Sequence, residues 1–240
     1  GVVPGGGGDM RLVLVRHGQT SSNRSGALDT SRPGASLDAT GMAQAEALAQ
    51  RWEDEVSPPP TLLAVSPLLR TRQTVHPLER RYGLHARVSP GIREIRAGDL
   101  EMNADPMSVV HYLRTMSAWA AGDLDVRMPG AEDGHVLLRR ALGVVESVRR
   151  DLAEQSGPDP TGVIVAHGAV IRALTPHLAD NVPAQLVEAH PMGNALTTVL
   201  EWRGDRFHAL TWSDRRVEEW DVPARVDLAE PSELEPVRRA

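Results

Sequence analysis

The 240-residue chain predicts an α/β fold, a doubly wound sheet covered by helices on both faces. Three observations carry that prediction. Short continuous apolar runs at residues 12–15, 62–65 and 163–166 have the length and composition of strands buried on both faces. They alternate with stretches of helical apolar spacing. Two of the runs also end alike, in Arg16-His17-Gly18 and in Ala166-His167-Gly168. Each ending puts an imidazole at the carboxyl end of a strand, where open α/β sheets bind their ligands.

The elements follow in order. The strand at 12–15 leads into a loop, then a helix over about 40–55. Thr40 is its candidate N-cap, Ala43, Ala47, Leu48 and Trp52 share one face, and Pro58-Pro59-Pro60 stops it. The strand at 62–65 is followed by a helix over 67–81 with Gly83 as C-cap, and by a short strand at 85–88. A helical stretch over 105–121, with Met107, Val110, Leu113, Met116 and Trp119, reads as an insertion. A long helix over about 132–155 ends at Ser156-Gly157-Pro158-Asp159-Pro160. The strand at 163–166 feeds a helix over 169–178, and segments 196–202 and 207–212 flank Gly204-Asp205 as an antiparallel hairpin near an edge. Residues 10–222 form the domain; the glycine-rich residues 1–9 read as a flexible leader or cloning remnant, and 223–240 as a mobile tail.

Composition narrows the function classes. The chain has no cysteine, which removes disulfides, a thiol nucleophile and thiolate metal sites and agrees with a cytoplasmic location. No apolar run approaches the length of a membrane span. The formal net charge is −6 and no basic block stands out, which argues against nucleic-acid binding. A small anionic substrate is compatible with this balance, because the local field of a few arginines outweighs the total. A homodimer is the base-rate assembly for a soluble enzyme.

Four ordered segments carry a family resemblance. Arg16-His17-Gly18 with Thr20 and Asn23 resembles the signature of the histidine phosphatase superfamily, in the branch that includes phosphoglycerate mutases. The stretch from Ser66-Pro67 through Arg70 to Thr74 is similar to that family's second arginine segment, Ile92-Arg93-Glu94-Ile95 to its general-acid segment, and Val165-Ala166-His167-Gly168 to its second histidine segment. The resemblance implies a three-layer α/β/α sandwich, mostly parallel with an antiparallel edge strand. It also implies a helical lid insertion, here about 95–135, that partly roofs the site.

The chemistry follows from the residue types. Phosphoryl transfer needs a nucleophile, cations around the non-bridging oxygens and a proton donor for the leaving oxygen. Neutral imidazole is a competent nucleophile near neutral pH, so His17 takes that role if a backbone carbonyl fixes its ring. Arg16 and Arg70 present planar forks to phosphate, Asn23 and the start of the helix after Pro67 add neutral donors, and His167, if protonated, adds a further positive one. Glu94 protonates the leaving alkoxide and then activates water. His190, before Pro191, is a candidate for the pocket rim, and the other histidines read as structural or solvated. No metal is expected, since the adjacent arginines repel a cation, and no cofactor is implied.

The segment after Glu94 departs from the family pattern. Ile95-Arg96-Ala97-Gly98-Asp99-Leu100-Glu101-Met102 keeps a glycine and the later glutamate but lacks both aromatics and the last glycine. The family's Gly-Glu-Ser before the long helix is replaced by Pro129-Gly130-Ala131-Glu132-Asp133-Gly134. The tyrosine and lysine expected of a mutase soon after the acid are absent. The reading is therefore a metal-independent phosphatase, a histidine acid/alkaline-type phosphomonoesterase working through a phosphohistidine on His17. A mutase-like phosphotransferase and a non-catalytic phospho-ligand binder are the alternatives.

Overall fold

The computed structural model describes residues 10–224, so the leader expected at 1–9 and all but the first two residues of the tail expected at 223–240 lie outside the described residues. A six-stranded sheet runs in the order β3-β2-β4-β1-β5-β6: β1 is Arg11–Arg16, β2 Leu62–Val65, β3 Arg87–Val88, β4 Thr161–Ala166, β5 Thr197–Trp202 and β6 Phe207–Ala209. The first four are mutually parallel, while β5 runs antiparallel to β1 and to β6. The antiparallel edge is thus a hairpin.

Strand alternation builds the layers. In β1, Leu12 and Leu14 enter one apolar cluster while Val13 and Val15 enter the other. In β4, Ile164 and Ala166 go one way and Val163 and Val165 the other. Successive side chains on a strand face opposite sides, so a run of apolar residues needs cover on both faces. Helices α2 (Ala39–Arg51) and α3 (Leu69–Tyr82) supply it on the valine face. Helices α4 (Pro106–Ala120), α5 (Gly134–Ala153) and α6 (Gly168–Leu178) supply it on the other. Truncating a fully buried leucine such as Leu14 to alanine is expected to cost about 2–5 kcal/mol.

Several boundaries differ from the expectation for local reasons. The N-cap of α2 is Asp38, whose Oδ1 accepts the Gly41 N–H at 2.8 Å, so the helix starts before Thr40. Its end widens into a π turn over Trp52–Val56, where the buried Trp52 indole donates to the Pro58 carbonyl at 3.0 Å. The third strand shortens to β3. The segment 207–212 divides after β6, because β7 (Thr211–Trp212) turns back on β8 (Arg215–Arg216) through Ser213 and Asp214, both at positive φ. Two short helices join the predicted ones: α1 (Ser21–Ser25), polar throughout and held by a Thr20–Asn23 capping box, and α7 (Ala184–Ala189), which buries Leu186 and Val187 but is too short to show a helical period. On α4, Met107 is exposed, and Tyr112 and Leu113 line a cavity shared with Arg16 and His17 at the end of β1.

Candidate active site

The register of the sheet brings the two histidine segments together. Arg16 pairs with Ala166, and the His17 N–H donates to the Ala166 carbonyl at 3.1 Å. The two imidazoles follow directly, with ring centroids 5.3 Å apart and planes at 64°. Gly18 is required by a close approach. A Cβ there would lie 2.6 Å from the Gly41 carbonyl oxygen, and one on Gly41 would collide with Gln19. The Gly18 N–H donates to Thr74 Oγ1 at 3.0 Å, which ties the turn after β1 to α3.

Two neighbours assign the His17 tautomer. Nδ1 lies 2.7 Å from the Gly18 carbonyl, which can only accept, and Nε2 lies 3.2 Å from Arg70 Nε, which can only donate. The proton therefore sits on Nδ1 and the lone pair on Nε2. Burial, then Arg70 and Arg16, push the His17 pKa well below its ordinary value, with the Gly18 carbonyl opposing. The result is a neutral imidazole whose Nε2 lone pair faces a guanidinium.

Arg70 is buried and doubly anchored. Its Nη2 donates to the Asp29 carbonyl at 2.6 Å, and Nη1 lies 3.9 Å from the Asp29 carboxylate. Burial lowers its pKa, and Asp29, Glu94, Tyr112 and Glu101 oppose that shift. Gly34, at φ 74°, leaves room for Nη1 where a Cβ would collide. Arg16, also buried, donates from Nη1 to the Met192 carbonyl at 2.7 Å.

His167 sits deeper. It is fully buried, its Nε2 lies 2.7 Å from Ser66 Oγ, and its Nδ1 has no hydrogen-bond partner among the described residues. Burial, then Arg70, His17, Arg16 and Arg140, hold its pKa well below the ordinary value, so the ring is neutral here rather than charged.

Glu94 lies at the N-terminus of α6. Oε1 accepts the N–H groups of Ile95 and Val170, each at 2.8 Å, and Oε2 accepts that of Ala169 at 3.2 Å. These donors and the helix dipole suit a carboxylate. The acid segment is held from outside by Arg140 of α5. That side chain donates to the carbonyls of Gly91 and Arg93 at 2.8 Å and of Glu94 at 3.2 Å, and pairs with Glu132 at 2.5 Å.

One cavity joins these groups. Its lining includes Arg16, His17, Asn23, Arg70 and Glu94, with Asp29, Thr30, Tyr112, Arg172 and Glu188 around them and Gly168 and Ala169 at the start of α6. His167 touches His17 but does not line the cavity. Asn23 spends its Oδ1 on Thr20 and Asn194, which leaves its amide N–H groups for a ligand. The start of α3 adds no donor at Leu69, whose N–H is taken by the Pro33 carbonyl. His190 is not a rim residue; it bonds the Asp221 carbonyl and packs on Trp220, and Pro191 lines the cavity instead. Among the described residues no cluster of three metal-ligating side chains forms.

Asp29, Arg140 and Asn194 were not foreseen. Asn194 donates to the His17 carbonyl at 3.1 Å and so braces the backbone at His17. The later glutamate, Glu101, binds the N–H groups of Thr30 and Ser31 and shapes the loop that anchors Arg70.

Residues 12–215 match the family model described as histidine phosphatase superfamily (branch 1). Glucosyl-3-phosphoglycerate phosphatase of Mycobacterium tuberculosis is 31% identical over 232 residues, which cover 90% of this chain and 96% of that protein. The PE-PGRS family protein PE_PGRS11 of the same species is 32% identical over 208 residues, or 82% of this chain, and the chain spans 35% of that longer protein. The solved structure of a mycobacterial glucosyl-3-phosphoglycerate phosphatase with VO3 has a TM-score of 0.71 at 29% identity, over 85% of this chain and 98% of the other.

Proposed function

Because the chain belongs to branch 1 of the histidine phosphatase superfamily, we propose that it is a metal-independent phosphomonoesterase acting through a phosphohistidine on His17. The observation that carries this reading is the tautomer of His17, with Nδ1–H on the Gly18 carbonyl and the Nε2 lone pair facing Arg70.

In the first half-reaction the ester phosphate replaces His17 as the acceptor for Arg70. The forks of Arg70 and Arg16, with the Asn23 amide, take the non-bridging oxygens. Glu94 first takes up the proton of the bound ester monoanion, whose charge beside it favours the protonated carboxyl; His17 Nε2 then attacks phosphorus, the bond to the leaving oxygen breaks, and Glu94 gives that oxygen the proton. Negative charge beside His167 favours its protonated form, which then donates to the transferring group. In the second half-reaction Glu94 accepts a proton from water, the water oxygen bonds phosphorus, and the nitrogen–phosphorus bond breaks to release inorganic phosphate. The N–H donors on Glu94 support the base form that this step needs. The guanidiniums beside both histidines disfavour a metal ion in the same space.

The low pKa of His17 supports activity on the acid side of neutrality, since the nucleophile stays unprotonated below 6.5. The substrate class is a small phosphorylated molecule, and glucosyl-3-phosphoglycerate, named for the mycobacterial relative, is the first compound to try. The test is hydrolysis of an aryl phosphate in excess chelator by wild type and His17→Ala. Chelator-resistant turnover that is lost in the variant is expected; turnover that survives in it would overturn the assignment of the nucleophile.

A further inference from the structure

The acid segment and the loop bonded to it carry a second concentration of positive charge that the catalytic reading leaves unused. Arg93 and Arg96 flank Glu94 and Ile95, and Arg32 lies on the loop stitched to the same segment. The stitching is explicit: the Ala97 N–H donates to Thr30 Oγ1 at 3.0 Å, and Glu101 accepts the Ser31 N–H at 3.0 Å. None of the three arginines lines the catalytic cavity. None makes a side-chain hydrogen bond or ion pair among the described residues.

Arg93 is half-buried and its Nε is sealed from solvent without a hydrogen-bond partner, while Arg96, three positions further along the same segment, and Arg32, on the loop bonded to it, are exposed. The acid near Arg93 is Glu132, and both of its oxygens are held by Arg140. Burial, then Arg96, Arg32 and Arg140, push the Arg93 guanidinium below its ordinary value. Like charges gathered around a sealed donor are unfavourable until an anion joins them. Planar guanidiniums are suited to bind phosphate or carboxylate through paired hydrogen bonds.

We propose that Arg32, Arg93 and Arg96 form a second oxyanion site, outside the lining of the catalytic cavity. Its ligand is a phosphate-type oxyanion. Two sources share that chemistry, free inorganic phosphate and a remote anionic group on a substrate held in the cavity.

The test is labelling of the full chain with phenylglyoxal, read arginine by arginine by peptide mass spectrometry, with and without inorganic phosphate. Labelling of Arg32 and Arg96 is expected to slow at least threefold and saturably in phosphate, while Arg206 and Arg216 change little. Equal slowing at all four positions, or none, would overturn the site. This readout does not depend on turnover, so it stands apart from the phosphatase assignment. Kinetics of Arg96→Gln and Arg32→Gln then separate the sources. A KM that rises several-fold more for a phosphorylated carboxylic acid than for an aryl phosphate assigns the site to the substrate's remote group. Equal KM changes with phosphate protection present assign it to free phosphate.

Discussion

The two strand-end histidines read alike in the sequence and differ in the structure. His17 follows β1, lines the cavity, and has both ring nitrogens placed by partners of opposite hydrogen-bonding character. His167 follows β4, lies behind the cavity wall, and shares one nitrogen with the Ser66 hydroxyl while the other has no hydrogen-bond partner among the described residues. A hydroxyl donates or accepts, so Ser66 leaves the His167 tautomer open where the Gly18 carbonyl closes that of His17. The same motif thus yields a ring of fixed tautomer in one case and of open tautomer in the other, and the partners decide which; the proposed roles of nucleophile and adaptable donor rest on that difference.

The contrast breaks or sharpens on substitution. His17→Ala is expected to lower turnover by about 10³-fold or more, and His167→Ala by less, because removing a nucleophile costs more than removing one stabilising donor. Equal losses in steady-state assays would end the division of roles. Arg70→Lys removes both the fork and the Nε–H that faces His17 Nε2, and a fall in kcat/KM of about 10²-fold is expected. An exchange with little effect would mean that a point charge suffices there.

Glu94→Gln tests the proposed proton donor. Its effect should be about tenfold or more larger for an alkyl ester than for an aryl ester, since the alkoxide needs the proton more. Equal losses on both substrates would remove Glu94 as the acid. Arg140→Met acts through the carbonyls that hold the acid segment, so Arg140 is a positioning residue. A roughly tenfold fall in kcat with little change in KM is expected, with the same leaving-group dependence as Glu94→Gln. A loss independent of the leaving group would mark a purely structural role.

The smallest effect concerns stability. Both histidines have folded pKa values depressed below 6.5 by burial. Below that pH the unfolded chain binds protons that the folded chain excludes. Stability present above pH 6.5 is therefore lost as pH falls, at up to about 1.4 kcal/mol per pH unit for each ring. Denaturant unfolding across pH 5–7 should show that slope reduced in His17→Ala, and an unchanged slope would contradict neutral burial of the ring.

The legible parts of this molecule were those encoded by runs and neighbours. Apolar runs marked β1, β2 and β4, and the motifs at their ends named His17, Arg70 and His167, because strand ends and the residues after them are local features. Asp29, Arg140 and Asn194 were not legible. Asp29 reaches Arg70 across 41 positions, Arg140 reaches Glu94 across 46, and Asn194 reaches His17 across 177, each through a backbone carbonyl that gives no residue-type signal. Helix α1 was missed because five polar residues stabilised by a capping box show no apolar period.

The central claim is that the phosphoryl group passes through His17. Mixing the protein with an aryl phosphate, quenching within milliseconds and mapping the phosphorylated peptide by mass spectrometry tests it directly. The account predicts phosphate on the peptide bearing His17, at higher occupancy in Glu94→Gln, where attack by water is slowed. Phosphate on His167, or turnover that leaves His17 unmodified under every quench, would contradict it.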